Sequence, residues 1–452
     1  MKVKSLLVIL CTLHHSISMM AQDSNPFLQQ ISSDEEALVK SNIAFAVRLF
    51  QESNPSKSIV LSPLSVTCAM TMVNNGATGM TRQEILDVLG GASDTDIMNN
   101  FCRKVLGEVG KLDSQVQVKM ANTIFFNQRL GLKLKKLFCQ KVKDNFDVTP
   151  QVLDFADENT LKVINQWASD YTDGMILQIL HDGDFSPEAV SYLLNALCFK
   201  APWKTPFNPN KTKDMPFDKG RTTVQMMETT GYYYYKETDL FQYVELPYGE
   251  GTFQLSVFLP KEGKSIDEIL SGFGANPDMT SGVELSTVNV RIPRFSVKTD
   301  LDLTGVMKTL GVKNAFEGGE GFGGFCYKGD DETNSANVFI TKVKQGSMID
   351  VNEYGCEAGA VTVTEMHGGA NDNDKILFNA NHPFMFLISE TSTGLILFIG
   401  QYMGEPATSL IGTHPDAVNK ETTPIYSLSG QRLQATPQRG IYVKNRKKFI
   451  IR

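Results

Sequence analysis

Residues 353–373, with the sequence EYGCEAGAVTVTEMHGGANDN, interrupt the series of strand-forming segments in the second half of the chain. Most residues of this stretch are glycine, small or polar, and the stretch does not fit a core element. Segments of this length without regular structure are usually functional or disordered. The stretch is therefore the first candidate for a functional site.

Strand-forming segments flank this stretch on both sides. Apolar runs that are typical of buried strands cover Val338–Val343 before it, and Phe384–Ile388 and Leu395–Ile399 after it. Alternating apolar residues predict two earlier strands, and these residues are Phe253, Leu255, Val257 and Leu259 in one and Val288, Val290 and Ile292 in the other.

Helical patterns are concentrated in the first half of the chain. Residues 33–50 predict a helix that begins with a capping box formed by Ser33 and Glu36. A second capping box, Thr81 and Glu84, predicts a short helix that ends at two glycines. Further helical periods, each ending before a glycine, cover residues 161–171 and 303–310. Early helices and late strands predict an α+β fold with large sheets.

The composition is that of a soluble globular protein with a large core, because 42% of the residues are apolar and 21% are charged. The formal net charge is −7, and the C-terminal end is basic, so the rest of the chain is more acidic still. An acidic body argues against nucleic acid as a partner. The basic stretch Lys133–Lys143 predicts a helix with a solvated lysine face, and polyanion binding is the alternative.

Both ends of the chain differ from its body. Lys2 and Lys4 precede a short apolar run, and Ala21 supplies a small residue for cleavage, so residues 1–21 are predicted to be a signal peptide. No segment is long enough to span a membrane, and we expect a secreted or cell-surface protein. Residues 406–423 are typical of a linker, and residues 424–452 predict a small group of strands.

The residues that could carry chemistry do not form a recognisable enzyme site. The sequence contains neither Gly-x-Ser-x-Gly nor His-Glu-x-x-His. Gly319, Gly321 and Gly324 match a dinucleotide motif, but they follow a helical pattern instead of a strand, which predicts a surface loop. The cysteines after the signal are too widely spaced for a typical metal site, and we expect mostly free, buried thiols at Cys68, Cys102, Cys139, Cys198, Cys326 and Cys356. We expect no metal, no cofactor and no catalytic activity.

Sequence fragments within residues 28–405 resemble the serpin family, and their order and spacing carry the resemblance. In chain order the fragments are SIVLSPLSVTCAMTMVNNGATGMTRQEILDVL (58–89), ANTIFF (121–126), INQWASDYTDGMI (164–176), LLNALCFKAPWKTPF (193–207), YVELPYGEGTFQLSVFLP (243–260), IPRFSV (292–297), DVNEYGCEAGAVT (350–362), FNANHPFMFLI (378–388) and LFIGQYMGEP (397–406). The resemblance implies three β-sheets, eight or nine helices and an exposed reactive loop.

The resemblance also implies a function. A target protease cleaves the reactive loop and is trapped as an acyl-enzyme, and the loop then inserts as a new strand in the largest sheet. The implied partner of this chain is a serine protease, or alternatively a cysteine protease, and the inhibitor is expected to be a monomer. A non-inhibitory member that binds or carries a ligand is the alternative.

The first part of the loop is implied to be a hinge made of Glu353, Gly355, Cys356, Glu357, Ala358, Gly359, Ala360, Val361 and Thr362. A strand that enters a sheet places alternate side chains inward, here Cys356, Ala358, Ala360, Thr362, Thr364 and Met366. This inward set has no charge and the run has no proline, so we expect the loop to be able to insert. Cys356 stands where Thr or Ser is usual, and an exposed thiol there would be reactive.

Other positions are implied to control the opening of the sheet, namely Ser62, Ser65, Asn195, Trp203, Arg294 and Gln345. Arg294 is expected to pair with Glu353 where the loop enters the sheet. Gln345 stands where many members have histidine, and its amide can donate and accept hydrogen bonds without the pH sensitivity of an imidazole.

The cleaved bond is expected at Gly369–Ala370, within the window from Met366 to Asp372. Small residues suit an elastase or a subtilisin-like protease with a shallow pocket. Trypsin-like targets are not expected, because the window contains no Arg or Lys.

The C-terminal segment PIYSLSGQRLQATPQRGIYVKNRKKFIIR (424–452) resembles the sorting tails of exported proteins from the Bacteroidetes bacteria. The resemblance implies secretion or delivery to the cell surface, with removal of the tail as one outcome. A small accessory group of strands is the alternative.

Overall fold

A computed structural model describes residues 31–53, 56–90, 94–275, 281–318, 320–356, 375–404, 440–444 and 447–451. The chain divides into two compact units, Met1–Pro406 and Ala407–Arg452. The predicted signal peptide and linker lie outside the described residues, as does the loop from residue 357 to residue 374.

The described part of the first unit contains eight α-helices. They are α1 (Ser33–Glu52), α2 (Pro63–Asn74), α3 (Gly79–Leu89), α4 (Thr95–Glu108), α5 (Lys136–Phe146), α6 (Thr160–Tyr171), α7 (Ile266–Ala275) and α8 (Thr304–Leu310). The predicted helices at 33–50, 161–171 and 303–310 are therefore confirmed.

The predicted helix caps were wrong in both cases. Ser32 caps α1 and forms the capping box with Glu35, one residue before the predicted pair, because the helix begins one residue earlier. Thr81 lies inside α3 and does not cap it. Glu84 instead accepts hydrogen bonds from the backbone N–H groups of Lys313 and Asn314, both at 2.8 Å.

Three sheets complete the described part of the first unit. Strands of the nine-stranded sheet follow the order β1 (Ile59–Leu61), β17 (Ile396–Tyr402), β16 (Phe384–Glu390), β9 (Phe253–Pro260), β8 (Phe241–Tyr248), β7 (Thr222–Glu237), β10 (Glu284–Pro293) and β15 (Ile376–Asn379), with β6 (Lys213–Phe217) on β7. The six-stranded sheet follows the order β11 (Phe295–Asp302), β13 (Lys342–Asn352), β14 (Gly355–Cys356), β5 (Ser191–Pro202), β2 (Gln117–Asn127) and β4 (Gln151–Leu153). The third sheet pairs β3 (Lys133–Leu134) with β12 (Cys326–Tyr327).

The α+β architecture with three sheets and eight or nine helices is confirmed for this unit. One strand prediction was partly wrong, because β13 begins at Lys342 and only the end of the run Val338–Val343 is strand. The lysine-rich stretch forms β3 and α5, and α5 buries Phe138, Val142 and Phe146 on one face. That helix is confirmed, and polyanion binding stays untested.

Helix α2 forms the centre of the core. Every one of its residues is buried, as expected for a helix that is covered on all sides. It contacts β17 of the nine-stranded sheet and both β2 and β5 of the six-stranded sheet. The N-terminus of α2, capped by Ser62, therefore lies beneath the middle of the six-stranded sheet.

The described residues of the second unit form one hairpin. Strand β18 (Gly440–Lys444) pairs in antiparallel fashion with β19 (Lys447–Ile451). Both strands fall inside the segment 424–452, which was predicted to be rich in strands, and the rest of that segment lies outside the described residues.

Candidate functional site at the opening of the six-stranded sheet

The six-stranded sheet has a seam at its centre, where β5 and β13 pair in parallel. Their ladder runs from Lys342 opposite Tyr192 to Ser347 opposite Leu197, and this ladder is called the seam below. Beyond Ser347 the two strands no longer pair with each other, and β14 lies between them. Parallel ladders are slightly less stable per residue than antiparallel ones, so the seam is a natural place for the sheet to separate.

Strand β14 already occupies the opening at one end of the seam. Cys356 is in register with Val351 of β13 on one side and with Ala201 of β5 on the other, both in antiparallel pairs. Gly355 precedes it with a φ angle of +143°. A Cβ atom on Gly355 would lie 2.0 Å from the carbonyl oxygen of Ala201, so only glycine fits where the chain turns into the sheet.

The thiol of Cys356 is not exposed, which corrects the expectation of a reactive hinge cysteine. Its side chain is fully buried, and its Sγ lies 2.9 Å from the hydroxyl oxygen of Tyr248 in a hydrogen bond. Buried thiols of this kind behave as small apolar groups and are poorly accessible to oxidants. The residue therefore acts here as a packed strand residue.

Glu353 and Arg294 form an ion pair beside the opening. The guanidinium Nη2 of Arg294 lies 2.6 Å from both carboxylate oxygens of Glu353, its Nε donates to one of them at 3.2 Å, and the hydroxyl group of Thr212 donates a further hydrogen bond at 2.6 Å. Burial opposes ionisation of Glu353, but the Thr212 and Arg294 contacts outweigh it and lower the pKa of the carboxyl group. Glu353 directly follows β13, and Arg294 directly precedes β11. The ion pair therefore joins the end of β13 to the start of β11.

Trp203 closes the opening from the β5 side. Its indole N–H donates to the carbonyl oxygen of Asn352 at 2.8 Å, and its backbone N–H donates to that of Tyr354 at 2.9 Å. The indole ring stacks on Tyr248 with 4.3 Å between ring centroids. Both hydrogen bonds reach the turn between β13 and β14, so Trp203 holds this turn against β5.

A buried polar cluster lies under the seam, where Gln345 and Asn195 face each other in register. The amide Nε2 of Gln345 donates to Oδ1 of Asn195 at 2.7 Å and to the carbonyl oxygen of Ser62 at 2.9 Å. The backbone N–H of Ser62 donates back to Oε1 of Gln345 at 3.1 Å. Asn195 also donates to the hydroxyl oxygen of Ser65. The Gln345–Asn195 bond crosses the seam and must break if β5 and β13 separate.

Asn122 of β2 also belongs to this cluster, although it was not among the predicted residues. Its Oδ1 accepts a hydrogen bond from Nδ2 of Asn195 at 2.5 Å, and it is in register with Asn195. A polar residue inside the apolar fragment ANTIFF was the available signal, since a buried amide needs partners.

The structure brings all six predicted sheet-opening residues into two groups joined by β5 and β13. Arg294 and Trp203 lie at the opening, whereas Ser62, Ser65, Asn195 and Gln345 lie under the seam. Of the predicted hinge, Glu353, Gly355 and Cys356 are described. The hinge residues Glu357, Ala358, Gly359, Ala360, Val361 and Thr362 and the bond Gly369–Ala370 lie outside the described residues.

Comparison with known proteins identifies the family of this arrangement. A family profile described as Serpin (serine protease inhibitor) matches residues 40–404. Human Serpin B8 is 30% identical over 380 residues, covering 81% of this chain and 98% of Serpin B8. Human Serpin I2 is 29% identical over 394 residues, covering 84% of this chain and 94% of Serpin I2.

Solved structures agree with the sequence comparisons. The native state of tengpin, a thermophilic serpin, matches with a TM-score of 0.74 at 25% identity, covering 83% of this chain and 95% of tengpin. Human thyroxine-binding globulin, in complex with thyroxine, matches with a TM-score of 0.71 at 25% identity, covering 82% of this chain and 98% of that protein. Because the matched residues include the opening, the seam and the polar cluster beneath it, the protein belongs to the serpin family, whose members are generally protease inhibitors.

Proposed function

We propose that this chain inhibits a serine-type protease as a suicide substrate. In this mechanism the protease cleaves the loop after residue 356, stays attached as an acyl-enzyme, and is displaced when the loop inserts between β5 and β13. The observation that carries the proposal is that β14 already lies between these two strands, in register with both.

The register of β14 shows where an inserted loop would lie. If this register continued into the loop, Ala360 would lie between Ser347 and Leu197. Glu365 would lie between Lys342 and Tyr192, at the last pair of the seam. Residues 360–365 would therefore replace the whole seam, and residues 357–359 would fill the part of the sheet between the seam and β14. Ser347 and Leu197 are fully buried, so the inward position of Ala360 has room only for a small side chain.

The energetic balance favours insertion. One parallel ladder would be exchanged for two ladders, a net gain of roughly a dozen backbone hydrogen bonds at about 1 kcal/mol each. That gain is comparable with the total stability of a typical domain, about 5–15 kcal/mol. The uninserted protein would then be kinetically trapped, and cleavage would release the trap.

The target and the location of the protein follow from the sequence patterns. We propose an elastase- or subtilisin-like protease, with a cysteine protease as the less favoured target, and cleavage at Gly369–Ala370. The pattern of residues 1–21 supports export, and the tail 424–452 supports delivery outside the cell. Within the described ranges, no helix is both long enough and apolar enough to cross a membrane.

The test is incubation with an elastase and, separately, with a subtilisin, followed by a denaturing gel. The expected product is a covalent complex that survives denaturation, together with a small C-terminal fragment. Mass spectrometry of that fragment should locate the cleaved bond between Met366 and Asp372.

A non-inhibitory carrier is the second candidate, and the similarity to thyroxine-binding globulin favours it. The uncharged, small residues Ala358 and Ala360 at inward hinge positions argue against this candidate. Cleavage of the loop by both proteases without any covalent complex would favour the carrier over the inhibitor.

A further inference from the structure

An ionic network lies at the end of the seam far from the opening. Asp184 accepts hydrogen bonds from the ammonium groups of Lys342 at 2.9 Å and Lys344 at 3.0 Å. Lys344 also lies 2.7 Å from Asp300, and Lys342 lies 3.5 Å from Asp302. The side chain of Lys344 is only 4% exposed, so its charge depends on these carboxylates.

The members of this network belong to the two sides of the seam. The two lysines are on β13, and their partners Asp300 and Asp302 are on β11, which is paired with β13 on the same side. Asp184 lies in the segment between α6 and β5, on the other side. The contacts from Asp184 to the lysines therefore cross the seam, as does the 2.5 Å contact between His181 of the same segment and Asp300, whereas the contacts of Asp300 and Asp302 with the lysines do not.

The backbone around Asp184 is hydrogen-bonded to β5, while the Asp184 side chain contacts the lysines of β13. The hydroxyl group of Tyr192, near the start of β5, donates to the carbonyl oxygen of Asp184 at 3.3 Å and accepts from the backbone N–H of Ser186 at 2.7 Å. The ring of Phe185 stacks on that of Tyr192, with 5.6 Å between centroids. If the seam opens, Asp184 moves with β5, and the lysines move with β13.

A second contact of the same segment covers the seam. Ile176 lies over Gly346 of β13, where an added Cβ atom would be 3.1 Å from two atoms of the isoleucine side chain. The segment between α6 and β5 therefore rests on β13 at Gly346 and is bound to it ionically at Lys342 and Lys344. An inserting strand must release both contacts.

We propose that Asp184 is a positioning residue that clamps the seam shut and sets the rate of loop insertion. Asp184, Lys342 and Lys344 are called the clamp below. Its contacts exist while β5 and β13 are paired, and they are lost when a strand separates them. This role of the clamp depends on the proposed insertion mechanism. Within that mechanism, the carboxylate of Asp184 accounts for one part of the kinetic barrier to insertion.

The electrostatics agree with this geometry. Burial opposes ionisation of Asp184, but hydrogen bonds from Lys342 and Lys344 outweigh it and lower its pKa to about 2. The carboxylate is thus ionised throughout the neutral range. A carboxylate oxygen of Asp184, a carboxylate oxygen of Asp300 and a ring nitrogen of His181 lie within 4.8 Å of one another, a spacing that could hold a cation. The ammonium groups of Lys342 and Lys344 already neutralise the two carboxylates there.

The test compares Asp184→Asn with the parent and with the control Asp302→Asn, which removes a carboxylate that contacts Lys342 from its own side of the seam. A synthetic peptide with the sequence of residues 357–365, EAGAVTVTE, serves as a strand that can insert without cleavage. We expect Asp184→Asn to take up the labelled peptide about tenfold faster than the parent, because the neutral side chain weakens both charge-assisted contacts across the seam. Asp302→Asn should stay close to the parent rate.

Melting of the intact and loop-cleaved forms provides the second readout. Asp184→Asn should lower the melting temperature of the intact protein and leave that of the cleaved protein unchanged, because the cleaved protein has already lost these contacts. Equal losses in both forms, or peptide uptake at the parent rate, would overturn the clamp. If the cleaved parent melts no higher than the intact parent, the insertion mechanism itself is wrong and the clamp fails with it.

Discussion

Glu353 and Arg294 are unequally buried, and this inequality decides what each contributes at the opening of the sheet. The Glu353 side chain is 1% exposed, whereas that of Arg294 is 41% exposed. An unpaired carboxylate would be costly at the buried position, while an unpaired guanidinium could be solvated. The carboxylate is therefore the group that depends on the ion pair, and the arginine stabilises it from the surface.

Replacing Glu353 by Gln should lower the free energy of unfolding at pH 7 by about 1–3 kcal/mol, the usual value of hydrogen bonds to a charged group. The pKa of Glu353 is below its ordinary 4.5 in the folded protein, so its stabilising effect is complete above about pH 4.5 and is lost as the pH falls through the folded pKa. The difference between parent and variant should shrink in acid. Urea unfolding at pH 7 and at several acidic pH values measures both effects.

Glu284→Gln is the matched control, because Glu284 is exposed at the start of β10. This change should alter the unfolding free energy by no more than about 0.5 kcal/mol. A difference between parent and Glu353→Gln that persists unchanged below pH 4 would show that the carboxylate charge is not the stabilising feature.

At the scale of elements, the two-residue strand β14 lies between β13 and β5, where the proposed insertion would begin. Core-facing residues of β13 and β5 alternate with residues that face α6 and the segment after it. Cys356 continues the core-facing row, because it is buried next to Val351 and Ala201. Every second loop residue after it would then have to fit the same closely packed layer.

Under the proposed mechanism, Ala360→Arg should turn the chain from an inhibitor into a substrate. A charged side chain between Ser347 and Leu197 would be buried without a partner, so insertion would stall and the acyl-enzyme would hydrolyse. On a denaturing gel, the cleaved inhibitor should replace the covalent complex, and the melting curve of the intact protein should match that of the parent.

Glu357→Arg introduces the same side chain on the opposite face of the loop. In the extended register this residue lies level with Asp350 and Lys200, both only partly buried. This variant should still form the covalent complex. If Ala360→Arg traps protease as well as Glu357→Arg does, the assignment of the inward face is wrong.

At the scale of the whole molecule, contacts along the seam and at its opening join residues that are far apart in the sequence. The Glu353–Arg294 pair and Trp203 act at its opening, the Gln345–Asn195 bond crosses its middle, and Asp184 acts at its far end. Each contact is modest by itself, at about 1 kcal/mol for a typical hydrogen bond. The Gln345–Asn195 bond and the Asp184 contacts cross the seam and must break if a strand is inserted there, so they add to a barrier that is crossed slowly, whereas the Glu353–Arg294 pair and Trp203 hold the opening in place.

Cleavage of the loop between Met366 and Asp372 should raise the melting temperature by more than about 10 °C, since the two new ladders add stability without removing the core. Differential scanning calorimetry of intact and cleaved protein at the same scan rate measures the shift. A cleaved form that melts at or below the intact form would rule out insertion.

Much of the architecture was predictable because local patterns report it. Helical periods located α1, α6 and α8, and alternating apolar residues located β9 and β10. The cap of α1 was misplaced because two Ser-x-x-Glu pairs overlap there, and only backbone geometry selects the pair that closes. In α3, the Thr81-x-x-Glu84 pair lies inside a helix that begins at Gly79, and its N-cap residue Thr78 makes no side-chain cap hydrogen bond. The reversal from an exposed to a buried Cys356 could not be seen in the sequence, because burial there depends on how far β5 and β13 are separated.

The amino-acid sequence was enough to assign the family, to find the uncharged set of alternate residues that begins at Cys356, and to predict the residue types at the opening, because these are patterns along the chain. The tertiary structure alone decided which strands form the seam, that Asn122 joins the polar cluster, and that Asp184 reaches across to Lys342 and Lys344. These contacts join residues more than 70 positions apart, and they form because β5 pairs with β2 on one side and with β13 on the other, which brings distant segments into register.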